Sequence, residues 1–157
     1  MEKINFDDNL YLAFESLLAD DFFEMSILAN TSAFINQYLD DINWVGFYLL
    51  KDNYLYLGPF QGKVACTKIK VGSGVCGSAA KILETIIVQD VHLFPGHIAC
   101  DDASNSEIVI PIFVKGKLYG LLDIDSPAKS RFSNNDKIIL EKLVNILEEH
   151  LTKSLYL

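Results

Sequence analysis

The sequence predicts an α+β fold in which a central antiparallel sheet has the terminal helices on one face and the cysteine-bearing loops on the other. Apolar residues recur with helical spacing at both ends of the chain and alternate with a period of two in its middle. The middle also holds the glycine-rich turns and all three cysteines. The order helix, helix, strands, helix, strands, helix favours a layered sandwich of this kind.

Residues 9–40 are predicted to form two helices, with the acidic pair Asp20 and Asp21 at the break between them. Each helix has one apolar face, which we expect to cover the sheet. The residues on these faces are Leu10, Phe14, Leu17 and Leu18 in the first helix and Met25, Leu28, Ile35 and Leu39 in the second.

Residues 43–50 alternate as a β-strand does, a turn follows at Asp52-Asn53, and residues 54–57 form the returning strand. Large apolar side chains point to both faces, so the sheet is expected to be covered on both sides. One face carries Trp44, Gly46 and Tyr48, and the other carries Val45, Phe47 and Leu49.

A third helix is predicted over residues 72–85, where a glycine-rich turn precedes helical spacing. The turn lacks the Gly-Lys-Ser/Thr ending of a phosphate-binding P-loop. A short strand over 86–88 and a long polar loop over 89–106 follow, and loops of that length in compact domains usually serve function. The buried face of the helix is predicted to contain Cys76, Ala79, Ala80 and Leu83.

Residues 107–114 and 117–125 are predicted to form a hairpin through Lys115-Gly116. The last helix is expected to begin at Ser133, with Asp136 completing a capping box. Its predicted buried stripe is Leu140, Leu143, Val144, Leu147 and Leu151.

Size and composition indicate one domain over residues 1–157, because 50% of the 157 residues are hydrophobic and 22% are charged. The formal net charge of -8 argues against nucleic acid as a partner. No apolar run approaches the ~18 residues of a membrane span, and the N-terminus does not resemble a secretory signal. A cytoplasmic protein with reduced thiols is therefore expected.

Cys100 is the first candidate for chemistry, because it lies in the polar loop and not in an apolar pattern. The alternative is a loop thiol tucked into the core as a small hydrophobe. Asp101 and Asp102 follow it and would raise the pKa of the thiol, whereas His97 could offset their charge if it lies close.

Cys66 and Cys76 each have two interpretations. Cys66 is either a strand core position or the partner that resolves an oxidised Cys100, and Cys76 fits the apolar helix face. A zinc site that combines the three cysteines with His92 or His97 is disfavoured, because no close Cys-x2-Cys pair occurs. We therefore expect no metal.

Asp123 and Asp125 lie two apart on one strand and so share a face. They either face solvent at a hairpin edge, or form a pair that binds a substrate ammonium or supplies a proton. A simple two-residue hairpin places Glu107 opposite Ile124, on the other face. Pro111 often marks a bulge, and a one-residue shift in register would bring Glu107 round, so we predict such an irregularity.

Trp44 and Tyr48 share a strand face on either side of a glycine. Core packing is the ordinary role of large aromatics in a sheet. Alternatively, the two rings form a slot for an alkyl sulfide or sulfoxide, with an ammonium resting against the indole.

Several segments together resemble the GAF domain and, more closely, the family of free methionine-(R)-sulfoxide reductases. They cover nearly the whole chain, and the contexts of the three cysteines are the specific part. The segments are Asn-Trp-Val-Gly-Phe-Tyr (43–48), Leu-Gly-Pro-Phe-Gln-Gly (57–62), Ala-Cys-Thr-Lys-Ile and Val-Gly-Ser-Gly-Val-Cys-Gly (within 65–77), Gln-Asp-Val-His (89–92), Phe-Pro-Gly-His-Ile-Ala-Cys-Asp (94–101), Ser-Glu-Ile-Val-Ile-Pro (106–111) and Leu-Asp-Ile-Asp-Ser (122–126).

The resemblance implies a GAF-like domain and a role for each candidate residue. It implies that Cys100 attacks the substrate, Cys66 resolves it and Cys76 is an auxiliary thiol. Substrate contacts are implied for Glu107, Asp123, Asp125, Trp44 and Tyr48.

The implied reaction forms a sulfenic acid and then a disulfide, which thioredoxin reduces, with no bound cofactor. The resemblance also implies a homodimer. The alternative function is a GAF sensor that binds a small molecule or registers oxidants without turnover.

Overall fold

The computed structural model describes residues 7–97 and 103–156, and the predicted α+β fold is confirmed there. Its elements are α1 Asp8–Leu18, α2 Glu24–Tyr38, β1 Trp44–Lys51, β2 Tyr54–Gln61, β3 Lys68–Lys70, α3 Gly74–Ile82, β4 Ile86–Val88, a 3-10 helix Val91–Leu93, β5 Ser106–Val114, β6 Lys117–Ser126 and α4 Asn134–Leu155. The six strands form one antiparallel sheet in the order β3-β2-β1-β6-β5-β4. Strands β1, β6 and β5 are therefore neighbours in the middle of the sheet.

The terminal helices α1, α2 and α4 cover one face of this sheet, as predicted. α2 lies on β1 and β2, α4 lies on β5, and α1 packs on the other two helices. The buried stripe of α4 is the predicted one, and the capping box of Ser133 and Asp136 is present. Two predicted core positions are wrong. Leu17 lies beside the buried stripe of α1 and is exposed, and Met25 is exposed because it precedes the first buried residue of α2, Ile27.

The other face carries α3 and the loops of the middle of the chain, and the short strand β3 forms the edge of the sheet beside β2. α3 contacts β3, β5 and β6. Helix α3 is shorter than predicted, because Leu83 takes a left-handed conformation with φ 60° and ends the helix, which leaves its side chain half exposed. β3 was not predicted, since three residues are too few to show a period.

The hairpin between β5 and β6 has the predicted turn and the predicted irregularity. Lys115 and Gly116 both have positive φ, as a type I′ turn requires. The register shifts between Ile112 and Phe113, one residue beyond Pro111, so Tyr119 is the extra residue on β6. Glu107 consequently pairs with Asp125 and not with Ile124. Because side chains alternate with period two, the shift turns Glu107 onto the face of the two aspartates.

β2 continues four residues beyond its predicted end. The register with β1 shifts opposite Phe47, where Gly58 and Pro59 form a bulge and pairing resumes at Phe60. Proline cannot donate to a ladder, and a bulge accommodates it within the strand. The helices in the described ranges are each too short or too polar to cross a membrane.

Candidate active site

The candidate active site is a cavity of about 50 Å³ between the sheet and the N-terminus of α3. Its walls contain six of the residues singled out from the sequence: Trp44 and Tyr48 from β1, Cys76 from α3, Glu107 from β5, and Asp123 and Asp125 from β6. Cys66 follows Ala65, which also lines the cavity. The structure thus brings together acids, a thiol and aromatic rings that are up to 81 residues apart in the chain.

The three carboxylates come from neighbouring strands and are all buried. Glu107 is 7% exposed, Asp123 5% and Asp125 9%, so the interpretation as a solvent-facing hairpin edge is wrong. Among the described residues, no donor makes a hydrogen bond to Oε1 of Glu107 or Oδ1 of Asp123. Buried acceptors are nearly always paired in folded proteins, so these two oxygens are suited to a ligand that brings donors.

Burial changes the pKa values of two of these acids, Glu107 and Asp123. It raises the pKa of Glu107 well above its ordinary value, and the nearby charges of Asp123 and Asp125 add to this effect. Burial also raises the pKa of Asp123, to about 6. The charges of both aspartates add to the effect of burial on the pKa of Glu107, so Glu107 is the better placed of the two to keep a proton while Asp123 is ionised.

Cys76 is a free thiol among these acids. Its Sγ and one carboxylate oxygen each of Glu107 and Asp123 lie within 4.8 Å of one another. Burial raises the pKa of Cys76 well above its ordinary value, and the surrounding carboxylates raise it further. The thiol keeps its proton and is a poor nucleophile in this state. Within the described residues these three could together hold a cation, and Cys76 is the one that they share with the zinc ligands considered from the sequence.

Cys66 lies in the loop between β2 and β3, partly buried, and it is disulfide-bonded. It is therefore not a strand core position. Cys100, Asp101 and Asp102 lie outside the described residues, and the role of Cys100 stays a prediction. His97 does line the cavity, but burial, helped by His92, lowers the pKa of its imidazole. A neutral His97 cannot offset negative charge, so that expectation is not supported.

The aromatic residues form a wall and not a slot. The rings of Trp44 and Tyr48 stack with centroids 6.0 Å apart, and Phe60 stacks on the other side of Trp44 at 5.2 Å. The space above Gly46 is filled, because a Cβ there would lie 2.3 Å from Cβ of Phe60. Both polar atoms donate to the loop of Cys66: Tyr48 Oη to the carbonyl of Cys66 at 2.9 Å and Trp44 Nε1 to that of Lys63 at 3.1 Å.

Two parts of the site were missed from the sequence. Ser104 lines the cavity, and its hydroxyl accepts from Asn43 Nδ2 at 3.1 Å. Ser73 and Gly74 at the start of α3 also line it, and the side chain of Ser73 does not cap the helix. The partial positive charge of a helix N-terminus favours an anion at this end of the cavity. The Gly-Ser-Gly turn before the helical spacing was the available signal.

Comparisons with known proteins place the chain among relatives. Residues 25–151 match the GAF domain family. The free methionine-R-sulfoxide reductase of Escherichia coli (strain K12) is 50% identical over 156 residues, 99% of this chain and 94% of that protein. The reduced form of fRMsr of Staphylococcus aureus has a TM-score of 0.89 at 52% identity, covering 96% of this chain and 99% of that one. Free methionine-R-sulfoxide reductase from Neisseria meningitidis in complex with its substrate has a TM-score of 0.89 at 39% identity, covering 96% and 95%.

Proposed function

The chain belongs to the GAF domain family and, within it, to the free methionine-R-sulfoxide reductases, and from this premise we propose how it works. It reduces free methionine-(R)-sulfoxide to methionine through a sulfenic acid on Cys100 and an intramolecular disulfide with Cys66. Thioredoxin reduces that disulfide, and no bound cofactor takes part. The observation that carries this proposal is the cavity in which the buried Glu107 lies beside two further carboxylates, while Oε1 of Glu107 and Oδ1 of Asp123 accept no hydrogen bond from the described residues.

Groups of opposite charge in the lining of the cavity would orient a free amino acid. The ionised Asp123 and its neighbour Asp125 attract the substrate ammonium, and the N-terminus of α3 attracts its carboxylate. A methionine sulfoxide within a peptide has neither group. The free amino acid is therefore preferred over the oxidised side chain of a protein.

Glu107 is the proposed proton donor. A sulfoxide becomes electrophilic at sulfur when its oxygen is protonated or strongly hydrogen-bonded. Burial and the charges of Asp123 and Asp125 raise the pKa of Glu107 and so favour its protonated form. It can therefore donate to the sulfoxide oxygen while Asp123 binds the ammonium.

The redox steps balance with the thiols alone. The Cys100 thiolate attacks the sulfoxide sulfur, the oxygen passes to the cysteine sulfur, and methionine leaves with Cys100 as a sulfenic acid. The Cys66 thiol then displaces water from this sulfenic acid and forms the disulfide. Thioredoxin returns two electrons and two protons by dithiol exchange. Cys76 keeps its proton in this state, so it takes no part in the first attack, and its place in later exchange stays a prediction.

Two further properties are part of the proposal. We propose a cytoplasmic protein, because its cysteines must return to thiols in each cycle. We also propose a homodimer, supported by the exposed Phe22, Phe23 and Met25 where α2 begins. Size-exclusion chromatography with light scattering tests the dimer, and a monomeric mass at micromolar concentration contradicts it.

The decisive experiment offers purified protein and dithiol the free (R) epimer, the free (S) epimer or N-acetylmethionine-(R)-sulfoxide. We expect methionine from the free (R) epimer alone, and none from the Cys100→Ser variant. Cys66→Ser should release about one methionine per protein with thioredoxin and then stop. Turnover by Cys100→Ser would overturn the assigned nucleophile. Binding of the free sulfoxide without any methionine would favour the GAF sensor.

A further inference from the structure

We propose that Trp44 and Tyr48 are positioning residues for the loop that carries Cys66, and that the hydroxyl of Tyr48 determines how fast the disulfide forms. This inference rests on the proposed function, because it assigns the resolving step to Cys66. It adds a further role to aromatic residues that the sequence indicated as core residues or as substrate contacts.

The loop of residues 62–67 connects β2 to β3 and leans on the two aromatic side chains. Tyr48 Oη donates to the carbonyl oxygen of Cys66 at 2.9 Å. Trp44 Nε1 donates to the carbonyl oxygen of Lys63 at 3.1 Å. Trp44 and Tyr48 are four residues apart on β1, so both project from the same face of the sheet toward this loop. Each ring is 98% buried, which makes these hydrogen bonds costly to lose.

The ends of the loop are held as well. Gly62 lies against the indole with φ +141°, and a Cβ there would be 2.5 Å from Cδ1 of Trp44. The carbonyl of Thr67 accepts from the backbone nitrogen of Leu57 at 3.1 Å. Between these contacts Val64 is 87% exposed. The loop is therefore held at four of its six residues while its tip faces solvent.

The direction of the Tyr48 hydroxyl indicates positioning and not proton transfer. Tyr48 lines the same cavity as Asp123, yet its hydroxyl donates to the loop backbone. Burial and the nearby acids raise the pKa of Tyr48, so the phenol keeps the proton that this hydrogen bond needs. The hydrogen bond is accepted by the carbonyl oxygen of Cys66. This oxygen is two covalent bonds from the Cα that carries the thiol side chain. The hydrogen bond is present with Cys66 already in a disulfide, and we infer that it holds the same backbone before the disulfide forms.

The step that depends on this geometry is the condensation of the Cys66 thiol with the Cys100 sulfenic acid, which forms one S–S bond and releases one water. Holding two groups within reach of each other is a large part of the rate of an intramolecular reaction. The first step, the attack on the sulfoxide, does not involve the Cys66 sulfur. Removing the hydrogen bond from Tyr48 to Cys66 should therefore slow disulfide formation relative to the attack on the sulfoxide.

The test is a single turnover of Tyr48→Phe, which keeps the ring and removes the hydroxyl. Fully reduced protein is mixed with excess free methionine-(R)-sulfoxide without dithiol, and methionine, remaining thiol and dimedone-trapped sulfenic acid are measured in quenched samples. We expect the ratio of the disulfide rate to the methionine rate to fall about 2- to 12-fold, the range expected for one hydrogen bond, with sulfenic acid accumulating. Tyr119→Phe is the matched control, since it removes a half-buried hydroxyl that donates to Glu24, outside the cavity lining.

A second variant disturbs the loop without touching the hydroxyl. Gly62→Ala forces the loop away from the indole and should lower the same ratio, whereas Gly116→Ala, also at positive φ but with nothing within 4 Å of its Cβ, should not. An unchanged ratio in a folded Tyr48→Phe overturns the inference, as does an unchanged ratio in Gly62→Ala if Tyr48→Phe does not fold. Failure of the unmodified protein to form methionine would overturn the proposed function instead.

Discussion

The two faces of the central sheet are built by the same strands, yet among the described residues only one of the faces buries carboxylates. Toward α1, α2 and α4 the strands present Val45, Phe47, Ile108, Ile110, Leu122 and Ile124, all packed in one apolar core. Toward the cavity the alternate positions of the same strands present Trp44, Tyr48, Glu107, Asp123 and Asp125. Because the period of a strand is two, each reactive residue is a chain neighbour of a core residue.

One face of the sheet thus stabilises the fold, whereas the other carries the groups that react. A fully buried aliphatic side chain contributes about 1.5–3 kcal/mol to folding. A buried carboxylate without a partner opposes folding, because its charge or its hydrogen-bonding capacity is removed from water. The helix face stabilises the fold that holds the cavity face in an otherwise unfavourable state. Substitutions of neighbouring residues should therefore have opposite effects. Those on the helix face should lower stability, and those on the cavity face should lower activity.

The largest effect is expected for Glu107→Gln, on the cavity face. Glutamine keeps the size of the side chain but cannot release a proton to the sulfoxide oxygen, so kcat/KM should fall about 10²- to 10⁴-fold. The free energy of unfolding should not decrease, because a charge-prone group has been removed from the interior. Steady-state kinetics and urea unfolding check the two parts. Near-normal kcat/KM would exclude Glu107 as the acid.

The neighbouring substitution Ile108→Ala tests the helix face. Ile108 is fully buried under the helices, and its truncation should lower the free energy of unfolding by about 2–5 kcal/mol. The KM of the molecules that remain folded should change little, since the side chain points away from the cavity. Urea unfolding monitored by circular dichroism measures the loss. A large change in KM at low temperature, where the variant is folded, would show that the faces are not separate.

Asp123→Asn should make the protein more stable and less active. A folded-state pKa of about 6, above the ordinary value of 3.8, means that stability is complete below pH 3.8 and is lost as pH rises to about 6. The difference corresponds to roughly 3 kcal/mol, which the neutral amide should recover at pH 8. The KM for the free sulfoxide should rise, because an ionised partner of its ammonium is gone. Equal unfolding midpoints at pH 8 would contradict this account.

The pKa of Asp123 also predicts that kcat/KM falls at acidic pH. Below about pH 6, protonation of Asp123 removes the charge that binds the ammonium, so kcat/KM should fall about tenfold per pH unit. Above that pH this dependence should level off. Kinetics between pH 5 and 8 measure this fall, and Asp123→Asn serves as control because it cannot titrate. A fall that persists in that variant would belong to another group.

The smallest effect is expected at the start of α4, far from the cavity. Ser133 caps this helix, with its hydroxyl accepting from the backbone nitrogen of Asp136 at 3.1 Å. Ser133→Ala should cost about 1 kcal/mol of stability and leave kcat and KM unchanged. Thermal unfolding and kinetics at 25 °C check both. A change in KM would connect the helix face to the site.

Local patterns were sufficient where a single element decides the outcome. The stripe from Leu140 to Leu151, the turn at Lys115-Gly116 and the shared face of Asp123 and Asp125 all follow from residues adjacent in the chain. The positions of Leu17, Met25 and Leu83 could not be predicted in this way. Whether an apolar residue at the edge of a pattern is covered depends on where the neighbouring elements end.

By itself the sequence determined the two faces of the sheet and its longer elements, because side-chain periodicity and turn chemistry act over a few residues. The residue types able to reduce a sulfoxide were indicated by the resemblance to a family. Only the tertiary structure decided that Glu107 lies on the same face as Asp123 and Asp125. The extra residue Tyr119 shifts the register of β6 against β5 by one. The tertiary structure also decided that Cys76 stays protonated and that Tyr48 holds the loop of Cys66. Register, burial and pKa depend on atoms that distant segments bring together, and no local pattern contains them.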